Sequence, residues 1–482
     1  MSQPIINAED CKNIVRKYLD SDKFEYVTFK IKPFIDNERD YFKGDSLLEI
    51  SVKISKNISR IRVFLKKYHW KYKPLVLFLQ SIHAFERELR FYEVILPKII
   101  NSLKNYELDI APHYMFGKAN DFIVLEDLSL DSFVVAKKMN PHILDRFHIS
   151  LGLQTLAKLH SAFIAHQEIC KGTKESLDSE ELILEEPFLK DGKILESSVK
   201  SLKSLLEIIR ESEHFDKDLG KKLDDLVIKS IDLVKPQKKY RNVLCHGNLH
   251  TRDMLFRYEG NSPVQCNLLN FEYCKYYVPA YDVLTFIFFT TSSLFRQHYY
   301  TYLIQYYYDN LKSELAKLNL QIEDILPVTE YHETINILMP TIKLKTCLHL
   351  QDFGAKKGFY DAIKKNEQLY NTYLYENKSE CIKEILRMDP IFKIMMTEAL
   401  KELIEVVEIT LVYREDCYKL LEEELQTTLY DIKDYEVSAS EGSDNKLLNL
   451  VIRAVTGDKQ EDINEFKYSV VTENRIKKFN KL

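Results

Sequence analysis

The chain has 482 residues, 45% of them hydrophobic and 29% charged, the balance of a soluble globular protein long enough for two or more lobes. Its net charge of −5 excludes bulk attraction to nucleic acid or to an anionic membrane surface. Glycine (12) and proline (13) are scarce beside Leu, Ile, Lys and Glu, so the composition favours helix. The eight cysteines lie far apart with no CxxC pair, the usage of buried reduced thiols in a cytoplasmic protein. The N-terminus has no basic segment followed by an apolar core, so no signal peptide is expected. The longest strongly apolar run, Val283 to Phe289, falls far short of the ~20 residues a membrane span needs.

In chain order, residues 5–20 place Ile5, Ile6, Val15 and Leu19 near helical spacing, with Asn7 as a cap. The segments EYVTFKIKPF, SLLEISVKIS and ISRIRVFLKK predict three strands over 25–67, with period-2 alternation in Leu48, Ile50, Val52 and Ile54. Residues 74–100 predict a helix. NDFIVLEDLSLDSF (120–133) predicts a strand with a polar exit. Residues 145–167 predict a helix whose core face carries Leu151, Leu153, Leu156, Leu159 and Phe163. The Lys-, Glu- and Ser-rich stretch 171–240 predicts two amphipathic helices. Residues 296–430 are mostly helical in pattern, and His298, His332 and His349 lack the i,i+4 spacing of a zinc site. From 431 the character changes, SASEGSD reading as a linker.

The stretch from Arg241 to Asp282 carries the chemistry. Apolar runs at Val243–Cys245 and Val264–Leu269 each stop at a polar loop, and Glu259 to Pro263 forms a turn between strands. If both loops open on one side, Asn248, His250, Asp253, Asn270 and Glu272 meet at one point. Phosphoryl transfer needs such a point: a carboxylate to take a hydroxyl proton, an oxygen ligand for magnesium five residues on, and a metal-bridging carboxylate on a second loop. Magnesium prefers hard oxygen donors, which loops supply well.

HGNLHTRDMLF followed by LLNFEY resembles the ecdysteroid kinase-like (CHK kinase-like) family, whose pattern is HGD, four residues, N, and later VDFQ. That family belongs with the choline kinases and aminoglycoside phosphotransferases. Phe85, Glu88, Phe91 and Tyr92 match its F-x-x-E-x-x-F-Y helix, and IVLEDL, LAKLHS and VPAYD match further segments. The resemblance implies an α+β, bilobal, protein-kinase-like fold. It would comprise an antiparallel-sheet N-lobe (1–127), a mainly helical C-lobe (128–430) and a C-terminal extension (431–482). It implies ATP and Mg2+ as cofactors and a small hydroxylated ligand as partner, with no nucleic acid or membrane; the extension is a candidate surface for a protein partner.

Residue by residue, the resemblance implies that Lys66 (or its neighbour Lys67) reaches the nucleotide phosphates and is held by Glu88. The segment around Glu126 would meet the adenine edge through its backbone. The hairpin after the first strand would cover the phosphates, although only Gly44 remains of its glycines. His160 would be a buried prop, and Asp282 would cap a helix and hydrogen-bond the loop of His246 and Gly247. Asn248 stands at the proton-acceptor position, and Asp253 and Asn270 stand at the metal positions. An amide does not accept a proton at neutral pH, and losing a general base costs ~10²–10⁴ in rate. The expectation is a weakened or inactive small-molecule kinase, with weakened ATP and Mg2+ binding. The alternatives are an active phosphotransferase with relocated metal ligands, in which His250 or Glu272 substitutes as base, and a non-catalytic interaction protein.

Overall fold

The computed structural model describes residues 6–409 except 35–44, 68–72, 105, 120, 137–141, 174–176, 178–180, 186–191 and 213–218. The chain divides into residues 1–411 and 412–482. Ile5, the hairpin tip with Gly44, and the extension 431–482 lie outside the described residues.

Helix α1 (Ala8–Leu19) starts as its residues dictate: the Asn7 side chain accepts from the amides of Glu9 and Asp10, and the Asp10 carboxylate in turn accepts from the Asn7 amide. Strands β1 (Glu25–Pro33), β2 (Ser46–Ile54) and β3 (Asn57–Lys67) follow. With β4 (Tyr114–Lys118) and β5 (Phe122–Glu126) they make one antiparallel sheet in the order β1-β2-β3-β5-β4. Strand β4 has no counterpart in the sequence reading. Leu48, Ile50 and Val52 turn to one face, where they pack with Ile14 and Val15 of α1 and Val63, Leu65, Phe122 and Val124.

The single helix expected over 74–100 is instead broken. It consists of α2 (Lys73–Ser81), α3 (Ala84–Arg90), a wide π turn (Phe91–Ile95) and α4 (Leu96–Ser102). His83 sits in the left-handed region (φ 52°), which ends α2. Pro97 lacks the amide that would continue an α-helical ladder, and the wide turn precedes it.

The remainder is mostly helical: α5 (Arg146–Cys170), α6 (Glu181–Leu184), α7 (Gly192–Ser212), α8 (Leu219–Leu233), α9 (Pro279–Thr290), α10 (Ser293–Lys317), α11 (Ile322–Ile325), α12 (Val328–Phe353), α13 (Lys357–Lys365), α14 (Glu367–Tyr375), α15 (Ser379–Met388) and α16 (Pro390–Ile409). Two short ribbons interrupt it, β6 (Val243–Cys245) with β9 (Lys275–Tyr277), and the hairpin β7 (Met254–Glu259) with β8 (Ser262–Leu268). Every residue of α9 is buried, which is why its sequence is apolar all round rather than striped. Among the described residues no helix is long and apolar enough to cross a membrane, and the seven described cysteines are free.

Candidate functional site

The loop after β6 is built on Gly247. Its φ is +86°, and a Cβ there would stand 2.0 Å from the Tyr273 carbonyl oxygen, so no other residue fits. Asp282 holds the loop from below. Its carboxylate accepts from the amides of His246 (2.5 Å) and Gly247 (2.9 Å) and lies 3.3 Å from His160 Nε2. His160 Nδ1 is 2.6 Å from the Tyr307 hydroxyl, and both Asp282 and His160 are fully buried. Burial pushes the Asp282 carboxyl up. The hydrogen bond and charge of His160, the charge of His246 and the Gly247 amide outweigh it, and the pKa lies below the ordinary value. Asp282 is not the helix cap that the sequence suggested, because α9 begins at Pro279 with Val278 before it. Its carboxylate is free for the loop because it sits one turn inside.

Two further ties were not legible in the sequence. Lys345 of α12, buried, donates to the Gly247 carbonyl (2.9 Å) and to the Tyr281 hydroxyl. Its one sequence signal is a lysine on the core-facing side of an otherwise apolar stretch. His246 Nε2 donates to the Leu269 carbonyl (2.7 Å), joining the loop to the end of β8.

The upper side of the loop faces a cavity of about 780 Å3. Asn248, His250, Asp253, Asn270 and Glu272 all line it, together with Lys66, Glu88 and Glu126. Register along β3, with Lys66 opposite Ile123, turns Lys66 rather than Lys67 toward Glu88. The Lys66 ammonium donates to Glu88 (2.6 Å), Glu272 (2.5 Å) and Asn270 Oδ1 (2.9 Å), which uses its three N–H groups. Burial would lower the Lys66 pKa, but Glu272 and Glu88 raise it above its ordinary range. Burial pushes the Glu88 carboxyl up, with Lys66 opposing and Glu272 adding to the shift. Lys67, half-buried, also lines the cavity. A ring stack of Phe91 on Phe271, with centroids 3.7 Å apart, holds the π turn after α3 against the second loop.

Asp253 is buried and its oxygens are occupied. One accepts from Asn270 Nδ2 (2.8 Å); the other accepts from the His250 amide (3.1 Å) and lies 2.9 Å from His250 Nδ1. Burial raises its pKa, but the charge and hydrogen bond of His250, then His246 and Asn270, bring it below the ordinary value. Asn270 holds φ 61°, a left-handed conformation that Asn tolerates. Glu126 accepts from the His113 amide (3.1 Å), and the neighbouring Asp127 pairs with Arg62 (2.5 Å), a contact the sequence did not reveal.

Set against the pattern HGD…N and VDFQ, each loop has exchanged its groups rather than simply lost one. The first reads Asn248 then Asp253, where the pattern has a carboxylate then an amide. The second reads Asn270 then Glu272, again the reverse. One carboxylate and one amide survive in each loop, and Lys66, Asn270 and Asp253 form a continuous chain of hydrogen bonds between them.

The profile of the ecdysteroid kinase-like family matches residues 46–320. No curated protein matches the sequence. Similar solved structures include an ethanolamine kinase from Plasmodium vivax, with 16% identity, covering 76% of this chain and 83% of its own, at TM-score 0.30. A macrolide 2'-phosphotransferase from Brachybacterium faecium has 11% identity, 72% and 92% coverage, and TM-score 0.29. The GDP complex of an aminoglycoside 2'-phosphotransferase-IIIa mutant has 10% identity, 82% and 100% coverage, and TM-score 0.34. The five-stranded antiparallel sheet and the mainly helical remainder are the two lobes of a kinase-like α+β fold.

Proposed function

The chain belongs to the ecdysteroid kinase-like family, and from that membership we propose a small-molecule kinase-like protein that binds a nucleoside triphosphate in the 780 Å3 cleft but transfers phosphate poorly. The observation that carries this reading is Asn248, an amide at the proton-acceptor position, in the same cavity as the Lys66–Glu88 pair. Lys66 would bind phosphate oxygens, with Glu88 holding its ammonium in place. The Asn248 amide orients an acceptor hydroxyl by hydrogen bonding but takes no proton from it, which removes ~10²–10⁴ of rate.

Asp253, the Asn270 carbonyl and Glu272 are hard oxygen donors of the kind magnesium takes, and they would hold it. The ion would supply neutralisation of the phosphate charge. Each donor already has an internal partner, His250 on Asp253 and Lys66 on Asn270 and Glu272, so the ion competes with them and binding is weakened. A second reading, an active phosphotransferase with relocated ligands, is favoured by the exchange of carboxylate and amide within each loop.

A magnesium-dependent ATP thermal shift on the full-length protein tests nucleotide binding. Turnover of Asn248→Asp with Asn270→Asp is expected to exceed that of the unaltered protein by about 10²-fold or more. Rapid phosphorylation of a hydroxylated acceptor by the unaltered protein, abolished by Asn248→Asp, would establish the second reading instead.

A further inference from the structure

The start of α5 and the end of β7 bring together Asp145, His148 and Tyr258, none of which lines the cleft. His148 Nδ1 lies 2.8 Å from Asp145 Oδ1, and His148 Nε2 lies 2.6 Å from the Tyr258 hydroxyl. The same Asp145 oxygen accepts the His148 amide (3.1 Å) as the N-cap of α5, so two bonds fix the carboxylate relative to the ring. The Phe256 ring packs edge to face on the imidazole, with centroids 4.8 Å apart, and His148 is buried. The ladder between β7 and β8 slips between Arg257 and Tyr258, the kind of irregularity that re-aims a side chain.

This bonding sets the direction of the protons. A carboxylate only accepts, so Nδ1 carries the hydrogen that bonds Asp145, and the neutral ring presents a lone pair at Nε2. The Tyr258 hydroxyl therefore donates to Nε2. An unassisted phenol ionises only at a pH of about 10 and is a poor nucleophile at neutral pH. Here a base stands at hydrogen-bond distance from the phenolic proton and is itself oriented by a third group, the arrangement that activates hydroxyl nucleophiles. Tyr258 keeps part of its surface exposed and sits between the exposed Arg257 and Glu259, so the residue is open to a small reagent.

We propose that Tyr258 is an acyl-acceptor site, whose hydroxyl attacks an activated acyl donor while His148 takes its proton. The bond from Tyr258 Oη to the carbonyl carbon forms as the bond from that carbon to the leaving group breaks. The phenolic proton passes to His148 Nε2 and then to the leaving group, and Asp145, a positioning residue, stabilises the imidazolium formed in between. The site uses no group of the cleft and goes beyond the nucleotide reading.

The test treats the full-length protein at neutral pH with N-acetylimidazole, which transfers its acetyl group to tyrosine and releases imidazole, and follows each tyrosine by peptide mass spectrometry. Tyr18 and Tyr302, 44% and 47% exposed, are more accessible than Tyr258, and neither hydroxyl has an imidazole bonded to it among the described residues, so they serve as internal references. Tyr258 should acetylate faster than either by about 10²-fold. Asp145→Asn keeps an N-cap for α5 but no longer dictates the tautomer of His148. It should slow Tyr258 by about tenfold or more and leave Tyr18 and Tyr302 unchanged. His148→Phe keeps a ring against Phe256 and should bring Tyr258 to the level of the references or below. Should that variant fail to fold, Asp145→Asn decides the matter on its own. Acetylation of Tyr258 no faster than the references, or an undiminished rate in Asp145→Asn, would each overturn the proposal.

Discussion

The loop from His246 to Asp253 has two sides that differ in kind. Below, Asp282, backed by His160, and Lys345 grip its backbone through buried groups. Above, Asn248, Asp253, Asn270 and Glu272 carry the same elements as the family pattern in a different order. The contrast teaches that shape and chemistry are separable within one short segment. The lower side is constrained by desolvation, since any orphaned buried donor or acceptor costs about 1–3 kcal/mol. The upper side faces a cavity, where an exchange of carboxylate for amide is absorbed by Lys66 and His250 without disturbing the scaffold.

The sharpest way to break this contrast is Asp282→Asn. It removes one partner of a buried charged network and should destabilise the protein by about 3–5 kcal/mol in equilibrium denaturation. A loss under about 1 kcal/mol would mean that the lower side is no more constrained than the upper.

A smaller effect is expected from pH. Asp282 and Asp253 both lie below the ordinary 3.8 in the folded protein. As pH falls, the unfolded chain takes up these protons first. Their contribution to stability is therefore present above about 3.8 and is lost as pH falls through their folded values. Each tenfold difference in proton affinity between the folded and unfolded chain is worth about 1.4 kcal/mol. Denaturation midpoints measured across the acid range should decline, and the decline should be shallower in Asp282→Asn. An equally steep decline in that variant would remove Asp282 from the account.

The smallest effect is predicted for Lys67→Met. Lys67 has no part in the three-way bond of Lys66, so stability should move by no more than about 0.5 kcal/mol, whereas Lys66→Met leaves Glu88 buried without its cation. Similar losses from both variants would mean that the strand register does not distinguish the two lysines.

Much of the fold and site is legible in the sequence where a side chain's role is local. Asn7 capping α1 and the alternation of β2 need only spacing and turn chemistry, whereas the five polar residues of the two loops meet only because both loops open on one cavity. The break of the 74–100 helix is legible only in part, because Pro97 marks where an α-helical ladder loses an amide while His83 gives no signal in the sequence. Lys345 gives little more, since a lone charge on a helix is ordinarily solvated.

The order of residues alone determined that two polar loops follow two apolar runs, that the pattern is that of the ecdysteroid kinase-like family, and that the transfer positions hold altered groups. Those are facts of type and spacing, which hydrophobic period and loop chemistry carry along the chain. Only the tertiary structure decided that Lys66 rather than Lys67 pairs with Glu88, that Glu272 is its third acceptor, and that Lys345 holds the Gly247 carbonyl. Each of these joins residues distant in sequence, and such contacts depend on strand register and helix packing, which no local pattern encodes.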